Sequence, residues 1–346
     1  MKKVLSFAIL LSGLIYILTG INEIELLNTN HYGKEITLKT PDTRKVKLSF
    51  IGDSLLASFK GEKTYQNFQD LLETHDYDYP YKKVKHIFEN DDFTIANGEN
   101  VFSDNKLLPI EKNYSPAYWY ISAKKYANIY KKSSIEIVSL MNNHTYDYGN
   151  IGYKDTVSAL KEANVIPGLE DEVIIQKNGF KIGIICCNLF HEFQKNQVIE
   201  KIKNVKKKVD YVIIYFHGGV EYQYQPPDDI KRYAHDFVDY GADLVIGAHP
   251  HVLQPMETYQ GKTIVYSLGS FLFGGTTTLL NRTIIFQVEL EFDNNSNLVK
   301  QDNIIIPCYL YSSKSGYEKW QPDVIANKEE KQRVIDFMNN LRSTPD

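Results

Sequence analysis

From residue 45 onward the chain repeats one rhythm: a short apolar run, often β-branched, then a polar loop, then apolar residues at helical spacing. The apolar runs predict strands at 46–52, 93–97, 135–141, 181–188, 211–216, 244–247 and 263–268. Most are near-continuous rather than alternating, as expected for strands covered on both faces. Helices are predicted between them, near 65–89, 116–131, 151–164, 196–207 and 227–240. In the third, Ile151, Val157, Leu160 and Ala163 recur at roughly helical spacing, and Pro167-Gly168 marks the exit. After Ser270 the pattern changes. Runs 283–292 and 299–311 read as paired strands joined by the turn 293–297, and 328–341 reads as a final helix. Alternating strands and helices predict a layered α/β fold. No linker or internal repeat interrupts residues 46–346, so one domain is expected there.

The N-terminus follows a different pattern. Met1-Lys2-Lys3 precedes residues 4–21, which are uncharged and apolar on all sides. That run is just long enough to span a bilayer, where about 20 residues are needed. No small-x-small cleavage site follows and no cysteine is available for lipid attachment, so an uncleaved signal anchor at 1–21 is expected. The two lysines keep the short N-terminus in the cytoplasm, which places the rest outside the cell membrane as a single-pass protein. Residues 22–45 are polar and read as a juxtamembrane stalk.

Composition adds exclusions. With 43% hydrophobic and 24% charged residues, the chain can bury a sizeable core. A net charge of −4 argues against non-specific nucleic-acid binding, which needs a basic face. Of the 3 cysteines, Cys186 and Cys187 are adjacent in one apolar run, where neighbouring side chains point to opposite faces. A disulfide scaffold and a Cys-rich zinc site are excluded. The lysines at 201, 203 and 206–208 read as a solvated helix face.

Ligands in open α/β sheets bind beyond the carboxyl ends of strands. Those positions hold Asp53; Asn97-Gly98-Glu99; Asn142-Asn143-His144 with Asp147; His217-Gly218-Gly219 followed by Glu221; and His249-Pro250-His251. One such residue more often caps a turn than binds a ligand. Convergence from five separate strands reverses that balance. Imidazoles, carboxylates and an amide oxygen suit Mn, Fe or Zn, as one or two ions, better than Ca. A carboxylate between two cations would let them clamp an oxyanion and acidify a bound water. His144 is then free to act as general acid, with Asp147 orienting its imidazole.

These residues sit in longer motifs. The stretch Asn142-Asn143-His144-Thr145-Tyr146-Asp147-Tyr148-Gly149, the run His217-Gly218-Gly219-Val220-Glu221-Tyr222, and Gly247-Ala248-His249-Pro250-His251-Val252 on to Tyr266-Ser267-Leu268-Gly269-Ser270-Phe271 resemble the signatures of the CapA family of poly-γ-glutamate capsule biosynthesis. The resemblance covers about residues 46–275. It implies kinship with calcineurin-like metallophosphoesterases, which are four-layer αββα sandwiches carrying two metals. Carried over by position, it implies Asp53, Glu99, Asn143, His217, His249 and His251 as metal ligands, with Glu99 in the bridging place. It also implies His144 as the proton donor beside them. Three positions depart from the pattern. Phosphoesterases have a His where this chain has Leu55, a His that CapA-like proteins also lack, which leaves one ion with fewer ligands. The family's Asn-Leu-Glu is Asn97-Gly98-Glu99, and its Gly-Asn-Phe is Gly269-Ser270-Phe271, where a loop contact is expected to weaken.

Two functions follow. One is a metal-dependent hydrolase at the cell envelope, acting on a phosphoester or on an amide bond of an anionic polymer. The other is a non-catalytic metal- or polymer-binding component of a synthesis and export complex, beside a polymer synthase in the same membrane. His144 and Asp147 favour catalysis, since binding alone needs no proton donor. A serine hydrolase using Ser267 or Ser270 is disfavoured, because neither lies in a Gly-x-Ser-x-Gly elbow.

Overall fold

Two sheets face each other across an apolar seam. In the first, β1 (Thr43–Ser54), β2 (Phe93–Gly98), β5 (Ile137–Ser139) and β6 (Ile166–Gly168) run parallel. β14 (Thr283–Asp293) pairs antiparallel with β1, matching Thr43 to Asp293, and β15 (Leu298–Tyr309) and β16 (Asp323–Val324) extend that side. The order is β16-β15-β14-β1-β2-β5-β6, with β13 (Ser270–Leu272) against the end of β1. The second sheet has the order β11-β12-β10-β9-β8-β7. Its parallel centre is β8 (Phe180–Asn188), β9 (Tyr211–His217), β10 (Leu244–Ala248) and β12 (Lys262–Leu268). The edges are β7 (Val173–Lys177) and β11 (Leu253–Tyr259), and a small ribbon joins β3 (Val101–Phe102) to β4 (Ile121–Ser122). This computed structural model describes residues 43–58, 67–113, 117–273, 281–313 and 317–346.

Period-2 alternation sorts each strand between two cores. Val46, Leu48 and Phe50 of β1 point into the seam, where they meet Ile213 and Tyr215 of β9 and Ile246 of β10. The other face of the first sheet (Ala96, Val138) is covered by α1 (Phe68–Thr74), α2 (Lys85–Phe88), α3 (Asn128–Lys132) and α4 (Gly149–Glu162), through Phe68, Phe88, Tyr130 and Leu160. The other face of the second sheet (Val212, Ile214) carries α5 (Glu192–Val205) and α6 (Asp228–Asp239) through Ile202 and Phe237. A last helix, α7 (Lys328–Met338), adds Phe337 and Met338 to the seam. The layering is helix–sheet–sheet–helix. All three cysteines are free and buried, and burial pushes the Cys186 thiol up to about 12.

Several boundaries differ from the pattern reading. The helix expected near 65–89 is broken into α1, a 3-10 turn at Tyr79–Tyr81 and α2, because Pro80 cannot donate to a helix passing through it. The helix expected near 116–131 gives up its start to β4 and retains a 3-10 turn and α3. Pro167-Gly168 does not mark a helix exit but lies inside β6; the chain leaves α4 at Glu162 and turns at Asn164, where φ is 57°. β7 and β11 add to the expected strands. They are edge strands, and edges carry polar residues and proline that hide the strand pattern. The expected anchor at 1–21 and nearly all of the stalk lie outside the described residues. No helix among the described residues is long and apolar enough to cross a membrane.

Candidate metal centre

The site begins at an irregularity in β1. Register with β2 slips between Ile51 and Asp53, and register with β13 slips between Asp53 and Ser54. Such a bulge re-aims a side chain. Here it turns Asp53, fully buried, into the seam between the sheets. The Ile51 carbonyl accepts a 2.6 Å bond from the Tyr215 hydroxyl of the opposite sheet. Gly52 is required by close approach: a Cβ there would lie 1.8 Å from the Gly269 carbonyl oxygen.

Glu99 follows β2 and is also fully buried. Between it and Asp53 lies the Asn97 amide. Its Nδ2 donates to Asp53 Oδ1 at 2.8 Å and to Glu99 Oε1 at 3.0 Å, and stands 3.0 Å from His217 Nδ1. Asn142 Nδ2 donates to Asn97 Oδ1 and to the Gly98 carbonyl, which fixes the amide's orientation. His217 closes β9, with Nε2 2.8 Å from Asn143 Oδ1 and 3.1 Å from His249 Nδ1. Burial, then the Asp53 charge, push Glu99 well above the carboxylate range. Asp53 moves the opposite way: burial alone would raise it, but His251 and His217 hold it far below its ordinary value. Burial, reinforced by the neighbouring imidazoles, lowers His217 strongly and His249 to about 3. Both rings are therefore neutral, which is the form that binds metal.

The second imidazole pair sits on strained backbone. His249 has φ 101° and His251 φ 59°, a region that costs non-glycine residues about 1–3 kcal/mol each and persists where surrounding structure over-determines it. His251 Nδ1 lies 3.0 Å from Asp53 Oδ2 and 3.1 Å from Ser270 Oγ. Phe190 and Phe273 pack against His249 and His251 with ring centroids 4.9 and 4.8 Å away.

His144 stands beside this cluster. Its Nδ1 is 2.9 Å from Asp147 Oδ2, which also accepts the Tyr120 backbone N–H at 3.1 Å. Asp147 Oδ1 meets Lys112 Nζ at 2.5 Å, and both side chains are almost wholly buried. Burial lowers His144 below its ordinary value while Asp147 opposes the shift.

All six expected ligand residues thus converge, with His144 and Asp147 at their side. Among the described residues, potential ligand atoms fall into two trios, Asp53–Glu99–His217 and Glu221–His249–His251, each within 4.8 Å. Asn143 reaches the first through His217. Glu99 Oε2 is buried without a hydrogen-bond partner, an orphaned acceptor that a cation would satisfy. Neutral imidazoles, buried carboxylates and this orphaned oxygen fit a divalent transition metal. Pattern reading gave Asn97 and Glu221 strand-end places but no role, and missed Lys112. Asn97 and Glu221 stand within the quoted motifs, whereas Lys112 comes from an irregular loop with no period to flag it.

The model of the bacterial capsule synthesis protein PGA_cap matches residues 47–275. The chain belongs to that family. Among its relatives, the PGA biosynthesis protein CapA of Bacillus subtilis is 29% identical over 280 residues, covering 73% of this chain and 70% of that protein. The capsule biosynthesis protein CapA of Bacillus anthracis is 27% identical over 291 residues, covering 76% and 68%. A hypothetical protein from Thermus thermophilus superposes on 76% of this chain and 99% of its own with TM-score 0.48 and 15% identity.

Two departures of this CapA-family member, and the Leu55 that sets it apart from phosphoesterases, now have physical readings. A Cβ at Gly98 would meet Val138 Cγ1 at 2.7 Å and the Tyr130 hydroxyl at 3.2 Å, so those residues fill the space of the family's Leu. Ser270 does not merely lose a contact; its hydroxyl supports His251. Leu55 is buried in an apolar cluster with Ala57, Tyr120 and Phe273.

Proposed function

We propose that this capsule-synthesis family member is a membrane-anchored, envelope-facing hydrolase that depends on Mn, Fe or Zn. Its substrate is a phosphoester or an amide bond of an anionic, poly-γ-glutamate-type polymer. The observation that carries the reading is the convergence of Asp53, Glu99, Asn143, His217, His249 and His251 around the orphaned Glu99 Oε2. Membership of the capsule family and the names of the two Bacillus proteins support the polymer, and residues 1–21 support the anchor. The arrangement is metallophosphoesterase-like in its ligand types and in its helix–sheet–sheet–helix layers.

One or two bound ions would act as Lewis acids and lower the pKa of a bound water. The chain's own residues do the rest. Asp53, Glu99 and the three strand-end imidazoles hold and orient, and the Asn97 amide keeps two carboxylates apart. Asp147, neutralised by Lys112, fixes the proton of His144 on Nδ1. Only the imidazolium carries a second proton on Nε2, and in that form His144 would give it to the leaving group. A polymer synthase in the same membrane is the expected partner.

The second reading is a non-catalytic component of a polymer synthesis complex. It is favoured by one observation: Leu55 is locked in apolar packing where phosphoesterases place a ligand. The purified full chain separates the two, assayed for metal by elemental analysis and for turnover of a generic phosphodiester and of poly-γ-glutamate. The expected result is near-stoichiometric metal in both wild type and His144→Gln, with turnover falling at least about a hundredfold in the variant. Metal without turnover on either substrate supports the binding component. Folded protein that takes up no metal removes the site assignment.

A further inference from the structure

We propose that Glu221 is a metal ligand, completing with His249 and His251 a second cation site. The inference rests on the metal reading above and assigns this chain's own ligands within it. The potential ligand atoms of Glu221, His249 and His251 lie within 4.8 Å of one another, and this trio shares no residue with Asp53, Glu99 and His217. Position is enforced from both sides. After His217 the chain turns through Gly219 and Tyr222, and the Tyr222 N–H donates to the Pro250 carbonyl at 2.8 Å. That bond ties the turn carrying Glu221 to the loop carrying both imidazoles.

Charge points the same way. Asp53, Glu99 and Glu221 bring three carboxyl groups to one place, and the largest influences on Asp53 and Glu99 besides burial come from imidazoles and carboxylates, not from a lysine or arginine. Glu221 makes no hydrogen bond or ion pair among the described residues. Glu99, which feels the Glu221 charge, keeps its buried Oε2 unpartnered. A lone surface carboxylate needs no counter-ion. One within 4.8 Å of two buried imidazoles has the donor set of a divalent transition-metal site. Because Glu221 is the exposed member, it forms the solvent side of the site.

The test uses the full chain equilibrated with Mn2+ alone and then desalted. Bound ions are counted by elemental analysis, and affinity is measured by competition with a chromogenic chelator. The expected result is two ions in wild type and one in Glu221→Gln, with the lost site weakened at least about tenfold. The melting temperature of the metal-free variant should match wild type, since Glu221 is exposed. His217→Ala should lose the other ion. Equal stoichiometry and affinity in wild type and Glu221→Gln overturn the proposal while leaving the metal reading intact. A folded wild-type chain with no bound ion overturns both.

Discussion

At His249 the backbone holds φ 101° so that the ring can face His217, with Nδ1 3.1 Å from its Nε2. Glycine tolerates that conformation and alanine does not. Metal-free His249→Gly is therefore expected to be more stable than metal-free His249→Ala by about 1 kcal/mol in denaturant unfolding. Both variants should lose metal. Equal stabilities would mean the conformation carries no strain. At this scale the candidate site was legible because its members close strands, and a strand end restricts where a side chain can lie. What stayed hidden depends on side-chain direction. Nothing in Asn97-Gly98-Glu99 says that the amide would bridge two carboxylates, and nothing near Lys112 says that it would reach Asp147.

Among the elements, the turn into β2 carries an instructive carboxyl group. Burial pushes Asp91 up to about 7, against the bond it accepts from the Thr94 hydroxyl, with Glu136 and Asp92 adding to the rise. A carboxyl with a folded pKa above its unfolded value of about 3.9 binds its proton more tightly in the native state. Stability therefore falls as pH rises from about 4 to about 7. Asp91→Asn removes that slope, so the stability of the variant relative to wild type should grow with pH across this window and level off above it. Urea unfolding at pH values of about 4.5, 6 and 8 measures this, and a pH-independent difference would count against a protonated Asp91. The central strands were legible from their apolar runs because both faces of each are buried. The edge strands β7 and β11 and the broken helix around Pro80 were not, since solvent and local backbone chemistry, rather than core periodicity, shape them.

Across the whole molecule, the candidate centre draws Asp53, Glu99 and Asn143 from the first sheet's side and His217, His249 and His251 from the second. An ion held by Asp53, Glu99 and His217 would cross-link the layers, and would bind only when both sheets have closed. A ligand at about a hundred times its dissociation constant adds about 2.7 kcal/mol to the native state. Mn2+ should accordingly raise the melting temperature by several degrees, EDTA should reverse the rise, and His217→Ala should show a reduced shift. Unchanged melting with Mn2+ and with Zn2+ would speak against a bridging ion. The pairing of β1 with β14 has a consequence for biosynthesis. Arg44 bonds the Asp293 carbonyl 249 positions away, so the strand that delivers Asp53 waits for a neighbour made much later. At about 5–20 residues per second the ribosome leaves that edge open for tens of seconds. Lys45 and Lys47, which will pair with Glu291 and Glu289, alternate along it with Val46 and Leu48. Until those partners emerge, the two lysines act as gatekeepers, keeping nascent chains from pairing with one another instead of with themselves.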